Sequence, residues 1–596
     1  MNKGAHMKKT IMEAFKETAD KFGDRVALKF KTGGQWKETT WKDYYKEVRV
    51  TARAFMALGL EKGKAVSILG NNCPRWFISD LAGVFAGGVP GGIYTTNSPD
   101  QCQYVASHSE ANIAVVENAD QLALFKKIKA QLPELKAIVL MNGSDPDGLA
   151  YAWNELPKLA EKVSEKELEE RINAQQPDDC CTLIYTSGTT GNPKGVMITH
   201  DNITWTAQQV INLIKMNHED QVISYLPLSH IAEQIVSLHS PCLTGCTVWF
   251  AESLDKLGEN LAEVRPTLFV GVPRVWEKIQ SKMMVAGAQN PPLKKKIAAW
   301  ARKQGLAGGY ADQEGKPKPF FYGLGNKLVF SKVREKLGFD RCRLFISTAA
   351  PISMDTLEFF LSLGLPLTEV YGMSECTGPG TLSLPESFKY RTGWAGPAVP
   401  GTTITIAEDG EVFMKGRHVF KGYFKNDAAT AETIDKDGWL HSGDVGKIDD
   451  KGFLKITDRK KELIITAGGE NIPPQVLEAE LKSISVVANV VVIGDRRQYM
   501  TALFTLNPEK LDQELINAGS PAKNMAEAVK CPKIRAYVQQ KLDEVNATFS
   551  RVQSIKKFTI LPNEFSVEGD ELTPTMKLKR RIINSKYAKE IEDMYK

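Results

Sequence analysis

The segment Tyr185–Val196, which reads Tyr-Thr-Ser-Gly-Thr-Thr-Gly-Asn-Pro-Lys-Gly-Val, constrains the fold of this chain more than any other stretch. It follows the apolar pair Leu183 and Ile184 and leads into a second apolar, β-branched run that ends at Thr199. Glycine lets a backbone approach a ligand closely, so that successive N–H groups can point at phosphate oxygens. Four Ser or Thr hydroxyls and the mobile positive charge of Lys194 add further donors. The segment therefore predicts a strand–loop–strand unit that holds a polyphosphate.

A turn rich in Ser, Thr and Gly can have this composition without binding anything, and Walker-type phosphate loops also place glycine beside lysine. The Walker spacing Gly-x-x-x-x-Gly-Lys-[Ser/Thr] is not met in this segment, because Gly191 and Gly195 flank Lys194. The segment instead resembles the phosphate loop of the adenylate-forming superfamily, which includes acyl-CoA synthetases, luciferases and adenylation domains of peptide synthetases. That resemblance implies contacts to the phosphates of ATP from Thr186, Ser187, Gly188, Thr189, Thr190, Gly191 and Lys194.

The composition is that of an ordinary folded protein. Hydrophobic residues make up 42% and charged residues 25% of the 596 residues, which argues against disorder. The length allows roughly four domain-sized units. The formal net charge of +5 suits an anionic ligand but does not indicate a nucleic-acid-binding protein. No uninterrupted apolar stretch reaches the roughly 18 residues of a membrane-spanning helix.

The cysteines bear on the cellular compartment. All nine lack the regular spacing of a disulfide framework or a zinc site, so we expect reduced thiols. No secretory signal is evident, and Met1–His6 reads as a vector-derived leader ahead of a natural start at Met7. We therefore expect a cytoplasmic protein, either free or peripheral to the inner face of a membrane.

Short apolar runs alternate with amphipathic segments along the N-terminal part of the chain, and Thr10 with Glu13 can cap the first helix. This alternation predicts an α/β fold with parallel sheets. After Trp394, glycine and proline become frequent and the apolar runs shorten, which predicts a small β-rich part over residues 394–457. The predicted strands are Val66–Leu69, Gly92–Tyr94, Ile113–Val116, Ala137–Leu140, Val222–Tyr225, Thr247–Phe250, Leu268–Val270 and Leu344–Ile346.

The last part of the chain has a pattern of its own. Val490–Ile493 predicts a strand, and an apolar stripe from Ile534 to Val545 recurs at helical spacing. A C-terminal domain of about 140 residues is of ordinary size. We expect a large N-terminal domain, 7–457, and a smaller mobile α+β domain, 458–596. The resemblance to adenylate-forming enzymes implies that the two domains hinge at Asp458.

The segment Tyr371–Cys376 follows the apolar run Leu365–Val370. Its aromatic ring, hydroxyl and carboxylate could stack on a base, touch a phosphate and hold Mg²⁺, which beside a nucleotide takes only one or two protein carboxylates. Alone, the segment could equally be a turn with a surface acid. Together with the phosphate loop it resembles the superfamily's adenine-and-metal motif, which implies that Tyr371 stacks on adenine and that Glu375, with Thr186, binds Mg²⁺. The residues of this motif assigned to ATP are Tyr371, Gly372, Met373 and Ser374, the last of which is often Thr in the superfamily.

Three further segments resemble motifs of the superfamily that contact the nucleoside. Ser347–Pro351 has the small residues that let a flat base lie against the backbone, although packed turns share this feature. Trp439–Asp444 ends in a carboxylate, which can accept from both hydroxyls of a ribose. In Lys455–Glu462 an arginine adds a positive contact to ribose or the α-phosphate. By resemblance these segments supply Ala349, Ala350, Asp444, Ile456 and Arg459.

The basic segment Leu572–Arg581 lies close to the C-terminus. Read in isolation, a basic tail is usually solvated. Its spacing Lys-x-x-Arg-Arg resembles the closing motif of the superfamily and singles out Lys577, which would neutralise charge at the transferring centre. The resemblance also implies that Gly468 and Gly469 face the CoA thiol channel. Six such motifs occur in the superfamily's order along the chain.

Other segments narrow the branch. Gly416–Tyr423, Glu462–Pro474, Ser224–Gln234 and Gly271–Lys278 resemble the long-chain acyl-CoA synthetases of the bubblegum type. His230 sits between apolar residues, as an ordinary core histidine would, but in the superfamily this position lies at the acyl pocket. The resemblance implies that His230 orients the substrate carboxylate or the phosphate end, and that the acid is long or very long.

The implied reaction has two half-steps and needs Mg²⁺, ATP and CoA. A fatty-acid carboxylate first forms acyl-AMP and pyrophosphate, with Lys577, His230, Glu375 and Thr186 as the catalytic group. The C-terminal domain then rotates, and CoA takes the acyl group. Two alternatives stay open: a ligase that passes acyl-AMP to a carrier protein, and a non-catalytic acyl or nucleotide sensor. The oligomeric state is left open between monomer and homodimer.

One stretch lies outside these motifs. From Pro291 to Tyr322 the chain mixes basic and aromatic residues around a glycine-rich turn. It is either a solvated helix with a loop or a peripheral contact with anionic lipid.

Overall fold

The computed structural model describes residues 8–186, 192–386, 388–466, 470–573 and 577–596. Within them the chain forms 26 strands and 23 α-helices. The strands are β1 (Val26–Thr32), β2 (Gln35–Thr40), β3 (Ala65–Leu69), β4 (Val89–Ile93), β5 (Ala111–Val116), β6 (Ala137–Leu140), β7 (Ala150–Ala152), β8 (Cys180–Thr186), β9 (Lys194–Thr199), β10 (Gln221–Ser224), β11 (Thr247–Phe250), β12 (Leu268–Gly271), β13 (Leu344–Ser347), β14 (Leu367–Glu369), β15 (Gly372–Met373), β16 (Gly378–Pro379), β17 (Thr403–Ile406), β18 (Glu411–Lys415), β19 (Gly422–Tyr423), β20 (Leu440–Ile448), β21 (Leu454–Arg459), β22 (Ile464–Ile465), β23 (Asn471–Ile472), β24 (Val487–Ile493), β25 (Met500–Leu506) and β26 (Ile555–Ile560).

The helices are α1 (Ile11–Phe22), α2 (Trp41–Ala57), α3 (Pro74–Phe85), α4 (Pro99–His108), α5 (Ala119–Ile128), α6 (Leu156–Ala160), α7 (Glu165–Asn173), α8 (His200–Ile214), α9 (Ile231–Glu233), α10 (Ser240–Thr244), α11 (Leu257–Val264), α12 (Pro273–Ala288), α13 (Pro292–Gln313), α14 (Tyr322–Gly325), α15 (Ser331–Leu337), α16 (Met354–Leu361), α17 (Asp427–Thr433), α18 (Pro474–Leu481), α19 (Leu511–Asn517), α20 (Met525–Lys530), α21 (Pro532–Asn546), α22 (Arg580–Lys586) and α23 (Ala588–Tyr595).

The central sheet has eight strands in the order β19-β9-β8-β4-β3-β5-β6-β7. The strands from β8 to β7 are parallel, and the hairpin partner β9 and then β19 add antiparallel edges. Every residue of β3 is buried, with Val66 and Ile68 in one apolar cluster and Ala65 and Leu69 in another. Helices therefore cover both faces, as continuous apolar strands of a parallel sheet require.

Two smaller sheets complete the α/β part. Strands β10, β11 and β1 are parallel, with β2 antiparallel at the edge. Strands β12, β13 and β14 form a parallel sheet whose apolar cluster contains Phe269, Trp276 and Phe339. The carboxyl ends of β13 and β14 lead directly into the segments around Ala349 and Tyr371.

The β-rich part is an antiparallel sheet in the order β17-β18-β20-β21. The predicted turn Glu408–Gly410 joins β17 to β18, with Gly410 at a φ of 85° that an L side chain rarely adopts. The register between β20 and β21 puts Asp444 opposite Arg459. The sheet therefore brings two predicted ribose-binding residues together.

The C-terminal part packs helices around the sheet β24-β25-β26. Val490 and Val492 face one apolar cluster, while Val491 and Ile493 face another. The stripe predicted from Ile534 is buried on α21 and belongs to the first cluster. In the described part of the chain, the helices include none with both the length and the apolar content to span a bilayer.

The capping box of Thr10 and Glu13 is confirmed, as are the strands predicted at Ala137–Leu140 and Thr247–Phe250. The strand predicted at Gly92–Tyr94 is present with shifted bounds, because β4 begins at Val89 and ends at Ile93. Pro90 lies inside this strand although it has no N–H to donate to a ladder. The structure accommodates it because the ladder between β4 and β8 is reduced to a single pair, Gly91 with Leu183.

Gly338 offers a test of how α15 packs against α11. It ends α15 at a φ of 73°, and a β-carbon there would lie 2.0 Å from the carbonyl oxygen of Leu261. We expect Gly338→Ala to destabilise the protein by about 2 to 4 kcal/mol and to lower its thermal midpoint. The matched control is Gly258→Ala in α11, where a β-carbon meets nothing within 4 Å. Equal midpoints for the two variants would contradict the packing described.

Candidate active site

The predicted phosphate loop connects β8 to β9, with Thr186 opposite Lys194 in the ladder. Residues 187–191, which include the predicted ligands Ser187, Gly188, Thr189, Thr190 and Gly191, lie outside the described residues. The Lys194 amine lies 4.6 Å from the ring centroid of Tyr423. The hydroxyl of Tyr423 donates to Glu375 Oε1 over 2.8 Å. One tyrosine thus joins the loop's lysine to the predicted metal carboxylate.

Glu375 lies on a tight turn after the short hairpin strand β15. It is only 8% exposed, and its Oε2 atom accepts no hydrogen bond from the described residues. A β-carbon at Gly372 would lie 1.8 Å from the carbonyl oxygen of Gly378, so the hairpin requires glycine there. Met373 is half-buried and Ser374 is buried. Among the described residues, the turn therefore presents one carboxylate oxygen without a hydrogen-bond donor.

Tyr371, Asp444 and Arg459 meet at the centre of the site. The Tyr371 hydroxyl donates to Asp444 Oδ2 over 2.8 Å, and Arg459 Nε lies 3.2 Å from Asp444 Oδ1. Burial raises the pKa of Asp444, against the opposing effects of Arg459 and the Tyr371 hydrogen bond. Burial lowers the pKa of Arg459, but the negative charges of Asp444 and Glu462 outweigh burial. The pKa of Arg459 is therefore raised overall. Ile456 lies in the same strand as Arg459 and packs half-buried against the main core.

Lys577 comes from the C-terminal part and reaches this group. Two hydrogen bonds tie its backbone to Thr573: Lys577 N donates to Thr573 Oγ1 over 3.0 Å, and Thr573 N donates to the Lys577 carbonyl over 2.7 Å. Burial, and then the charge of Arg459, lower the pKa of Lys577 to about 8, while Asp444 and Glu375 oppose the shift. The amine therefore lies within electrostatic reach of the carboxylates of the N-terminal part.

His230 is the N-cap residue before α9 and lines a cavity of about 670 Å³. Its Nδ1 accepts from the backbone N–H of Ala232 over 3.2 Å, which leaves the proton of a neutral ring on Nε2. Burial, and then Lys577, lower the pKa of His230 to about 4, so the ring is neutral near pH 7. The same cavity contains Ala349, while Ala350 is exposed. Ala349 has a φ of 74°, a strained value for a residue with a side chain.

Asp458 links the two parts of the chain. It is 1% exposed, and its oxygens accept from the backbone N–H groups of Arg459 over 2.6 Å and Gln475 over 3.1 Å. Burial raises its pKa to about 7, although those two hydrogen bonds work against the shift. The predicted hinge carboxylate thus holds the start of α18. The predicted CoA-channel residues Gly468 and Gly469 lie outside the described residues.

The structure adds a group that sequence reasoning missed. Arg580 Nε lies 3.1 Å from Glu462 Oε2, and its Nη2 lies 2.5 Å from Glu478 Oε2. Gln475 Nε2 donates to the same Glu462 oxygen over 3.0 Å. A continuous chain of contacts therefore runs from Asp458 through Gln475 and Glu462 to the base of the Lys577 loop. The first arginine of Lys-x-x-Arg-Arg was the available signal, but its acidic partners are a hundred residues away in sequence.

A second missed group lies one turn after His230. Glu233 is buried, and its Oε1 accepts from the Ser224 hydroxyl over 2.6 Å and from Asn72 Nδ2 over 3.4 Å. Burial raises the pKa of Glu233 to about 7. These contacts tie the end of β10 to the helix that starts at His230.

Comparison with known proteins agrees with this site. The family model described as AMP-binding enzyme matches residues 15–424, and the model of its C-terminal domain matches residues 461–596. The chain belongs to the AMP-binding enzyme family. The adenylate-forming resemblance read from the motifs is thereby confirmed.

Curated relatives identify the branch of this family. The long-chain-fatty-acid–CoA ligase ACSBG2 of Xenopus laevis is 44% identical, covering 98% of this chain and 84% of the relative. ACSBG1 of Rattus norvegicus is 41% identical, with 98% and 85% covered, and human ACSBG2 is 40% identical, with 98% and 92% covered. The predicted similarity to bubblegum-type synthetases is confirmed.

Solved structures confirm the fold class. ATP-bound MatB from Rhodopseudomonas palustris is 22% identical with a TM-score of 0.72, covering 99% of this chain and all of that one. The adenylation domain of a carboxylate reductase from Mycobacterium chelonae is 21% identical with a TM-score of 0.74, covering 99% and 92%. The predicted α/β adenylate-forming fold is therefore correct.

The Arg580 contacts predict a positioning role for this residue. We expect Arg580→Met to lower the rate of acyl-AMP formation by roughly 10- to 100-fold, because a displaced catalytic group loses rate steeply. Conversion of supplied acyl-AMP and CoA to thioester should change little, and Arg580→Lys should restore part of the first rate. The measurement is single-turnover kinetics of each half-reaction.

The neighbouring Arg581 is exposed and makes no ion pair with the described residues, so Arg581→Met is the matched control. Thermal midpoints of both variants separate positioning from folding. Equal loss of both half-reactions in Arg580→Met would mean that the ion pairs of Arg580 with Glu462 and Glu478 serve stability alone.

Proposed function

We propose that this chain is an AMP-forming fatty acid–CoA ligase that acts on long-chain and very-long-chain acids. The observation that carries the proposal is the convergence of Lys577 with Asp444, Arg459 and Glu375. A lysine delivered from the C-terminal domain to the buried carboxylates of the N-terminal domain, beside the guanidinium of Arg459, suits a reaction at a nucleotide phosphate. The named activity of the curated relatives supports the choice of acid and thiol.

In the first half-reaction an oxygen of the fatty-acid carboxylate attacks the α-phosphorus of ATP. A P–O bond forms to give acyl-AMP, and the bond to the β-phosphate breaks, so that pyrophosphate leaves with its electron pair. Asp444 would accept from the ribose hydroxyls, and Arg459 with Lys577 would offset the charge that builds up on the α-phosphate. Positioning and fixed charges supply most of the acceleration in such transfers.

Glu375 fits a Mg²⁺ site beside the nucleotide. Its Oε1 is held by Tyr423, and its Oε2 is available to a cation that prefers oxygen ligands. Thr186 would add its hydroxyl. The described residues contain no group of three or more His, Cys, Asp or Glu arranged for a metal, which suits an ion held mainly by phosphates. When bound, Mg²⁺ would neutralise phosphate charge.

In the second half-reaction the CoA sulfur attacks the acyl carbonyl carbon, a C–S bond forms, and AMP leaves. We propose that residues 458–596 rotate on 7–457 about Asp458, which withdraws Lys577 and brings Gly468 and Gly469 to the thiol channel. One site can serve two reactions through such a hinge. The ion pair Arg274–Glu564, at 3.0 Å, would have to open during the rotation.

The neutral ring of His230 gives it a defined task. With Nδ1 occupied by Ala232, the Nε2–H can donate to the carboxylate of the acid without adding a charge. The cavity that contains His230 also reaches Ala349, so we propose that the acid and the adenine meet there. The nine cysteines, all unpaired in the structure, support a cytoplasmic setting.

The direct test measures products from ATP, CoA and medium-, long- and very-long-chain acids. We expect AMP, pyrophosphate and acyl-CoA, with Lys577→Ala losing about 100-fold or more in acyl-AMP formation while still converting supplied acyl-AMP to thioester. Pyrophosphate release with transfer to acyl carrier protein alone would identify a carrier-protein ligase. Acid-independent binding of ATP without pyrophosphate release would identify a sensor.

The pH dependence follows from the Lys577 pKa of about 8. As pH rises through that value the free enzyme loses the positive charge, so kcat/KM for adenylation should fall. Bound ATP is anionic and favours the charged lysine, so kcat should fall at higher pH than kcat/KM. Lys577→Arg keeps its charge across this range and should show no fall near pH 8. A fall at the same pH in both enzymes would assign the titration to another group.

A further inference from the structure

The segment 291–336, which covers α13, α14 and α15, has a larger net positive charge than the whole chain. It contains eleven Lys or Arg and three Asp or Glu, a net charge of +8, whereas the whole chain has +5. The rest of the chain is therefore slightly acidic. A charge imbalance of this size on one segment marks a surface that attracts anions.

The first turns of α13 project from the body of the protein. Leu293 is 70% exposed, and Lys294, Lys295 and Lys296 are exposed beside it. Across the described residues, none of these lysines, nor Lys303, lies within 4.0 Å of an acidic group. Their charges are thus available to a partner. The loop lysines differ, because Lys316 pairs with Glu314 and Lys318 with Asp312.

Exposed aromatic side chains lie next to these lysines. Phe320 is 94% exposed, and its ring centroid lies 5.1 Å from that of Phe321, which is itself half exposed. Phe321 also lies 6.3 Å from the ring of Trp300 on α13. Leu324 and Leu328 follow with their side chains exposed. We call Leu293–Lys296, Trp300, Lys303, Phe320, Phe321, Leu324, Lys327 and Leu328 the basic–aromatic surface.

The opposite side of α13 is used for packing. A β-carbon at Gly305 would lie 2.0 Å from the Ser362 carbonyl oxygen, and one at Gly309 would lie 2.4 Å from the Leu361 side chain. The helix therefore cannot turn its apolar residues inward by rotating about its axis. Leu293 and Phe320 stay in water although each would gain from burial.

We propose that the basic–aromatic surface docks this protein on an anionic bilayer. Lysines without acidic partners attract the lipid headgroups, while Phe320, Phe321 and Leu293 can enter the boundary between headgroups and acyl chains. A nucleic acid would use the same lysines, but an unstacked pair of exposed phenylalanines beside leucines is better matched to acyl chains.

The surface also adjoins the cavity of the proposed active site. Met284, four residues before the end of α12, lines that cavity and is half exposed. Leu293 is the second residue of α13, across the short connection between the two helices. A bilayer that contacts Leu293 would therefore lie on the side of the molecule where α12 lines the cavity. Delivery of the acid from the bilayer, unlike the docking itself, rests on the proposed function.

The test is vesicle flotation of the full chain without substrates, so that its outcome is independent of ligase activity. We expect binding to vesicles of phosphatidylcholine with phosphatidylserine, and far less to phosphatidylcholine alone. The triple variant K294Q/K295Q/K296Q should weaken binding by roughly 100-fold. Phe320→Ser should weaken it by about tenfold, with an unchanged thermal midpoint because the side chain is almost fully exposed.

The matched control is K127Q/K158Q/K162Q, which removes the same charge from exposed lysines elsewhere on the surface. It should bind vesicles like the parent. Equal weakening by both triple variants would overturn the proposal, as would equal binding to the two lipid mixtures. If single-stranded RNA competed for binding and Phe320→Ser had no effect, the surface would be a general polyanion site.

Discussion

The arrangement of this protein depends on a buried carboxylate held at the junction of its two parts. Asp444 accepts from the Tyr371 hydroxyl and pairs with Arg459, and the Lys577 amine approaches the same group from the C-terminal part. The carboxylate of Asp444 is buried, and leaving its charge without a cationic partner there would be costly. The group is therefore matched to an incoming ligand that carries both hydroxyls and phosphates.

The contacts around this group also bear on the rotation proposed at Asp458. Asp458 accepts a hydrogen bond at the start of α18. Glu462 and Glu478 form ion pairs with Arg580 at the base of the Lys577 loop. These contacts lie within the C-terminal part, so a rotation at Asp458 would carry Lys577 with it. Through these contacts, a change of backbone angle at Asp458 would move the Lys577 amine, which lies many residues away in sequence.

Much of the site could be read from the sequence because each motif is local. The spacing of glycine, hydroxyl and lysine after an apolar strand predicted the β8–β9 hairpin, and Tyr371, Glu375, Asp444 and Lys577 were each named from a short segment. The partners could not be read in this way. Tyr423 reaches Glu375 across 48 residues, and Arg580 reaches Glu462 across 118. Such pairs arise from strand register and helix packing, which local patterns do not encode.

By itself the sequence determined the fold class, the family and a set of candidate site residues, since apolar periodicity and compact motifs are properties of neighbouring residues. Only the tertiary structure decided the burial that lowers the pKa of His230, the contact of Tyr423 with Glu375 and the exposure of the basic–aromatic surface. Burial, hydrogen-bond partners and solvent exposure depend on which distant segments pack together. For the stretch after Pro291, that packing leaves Leu293 and Phe320 in water, which the order of residues alone left open.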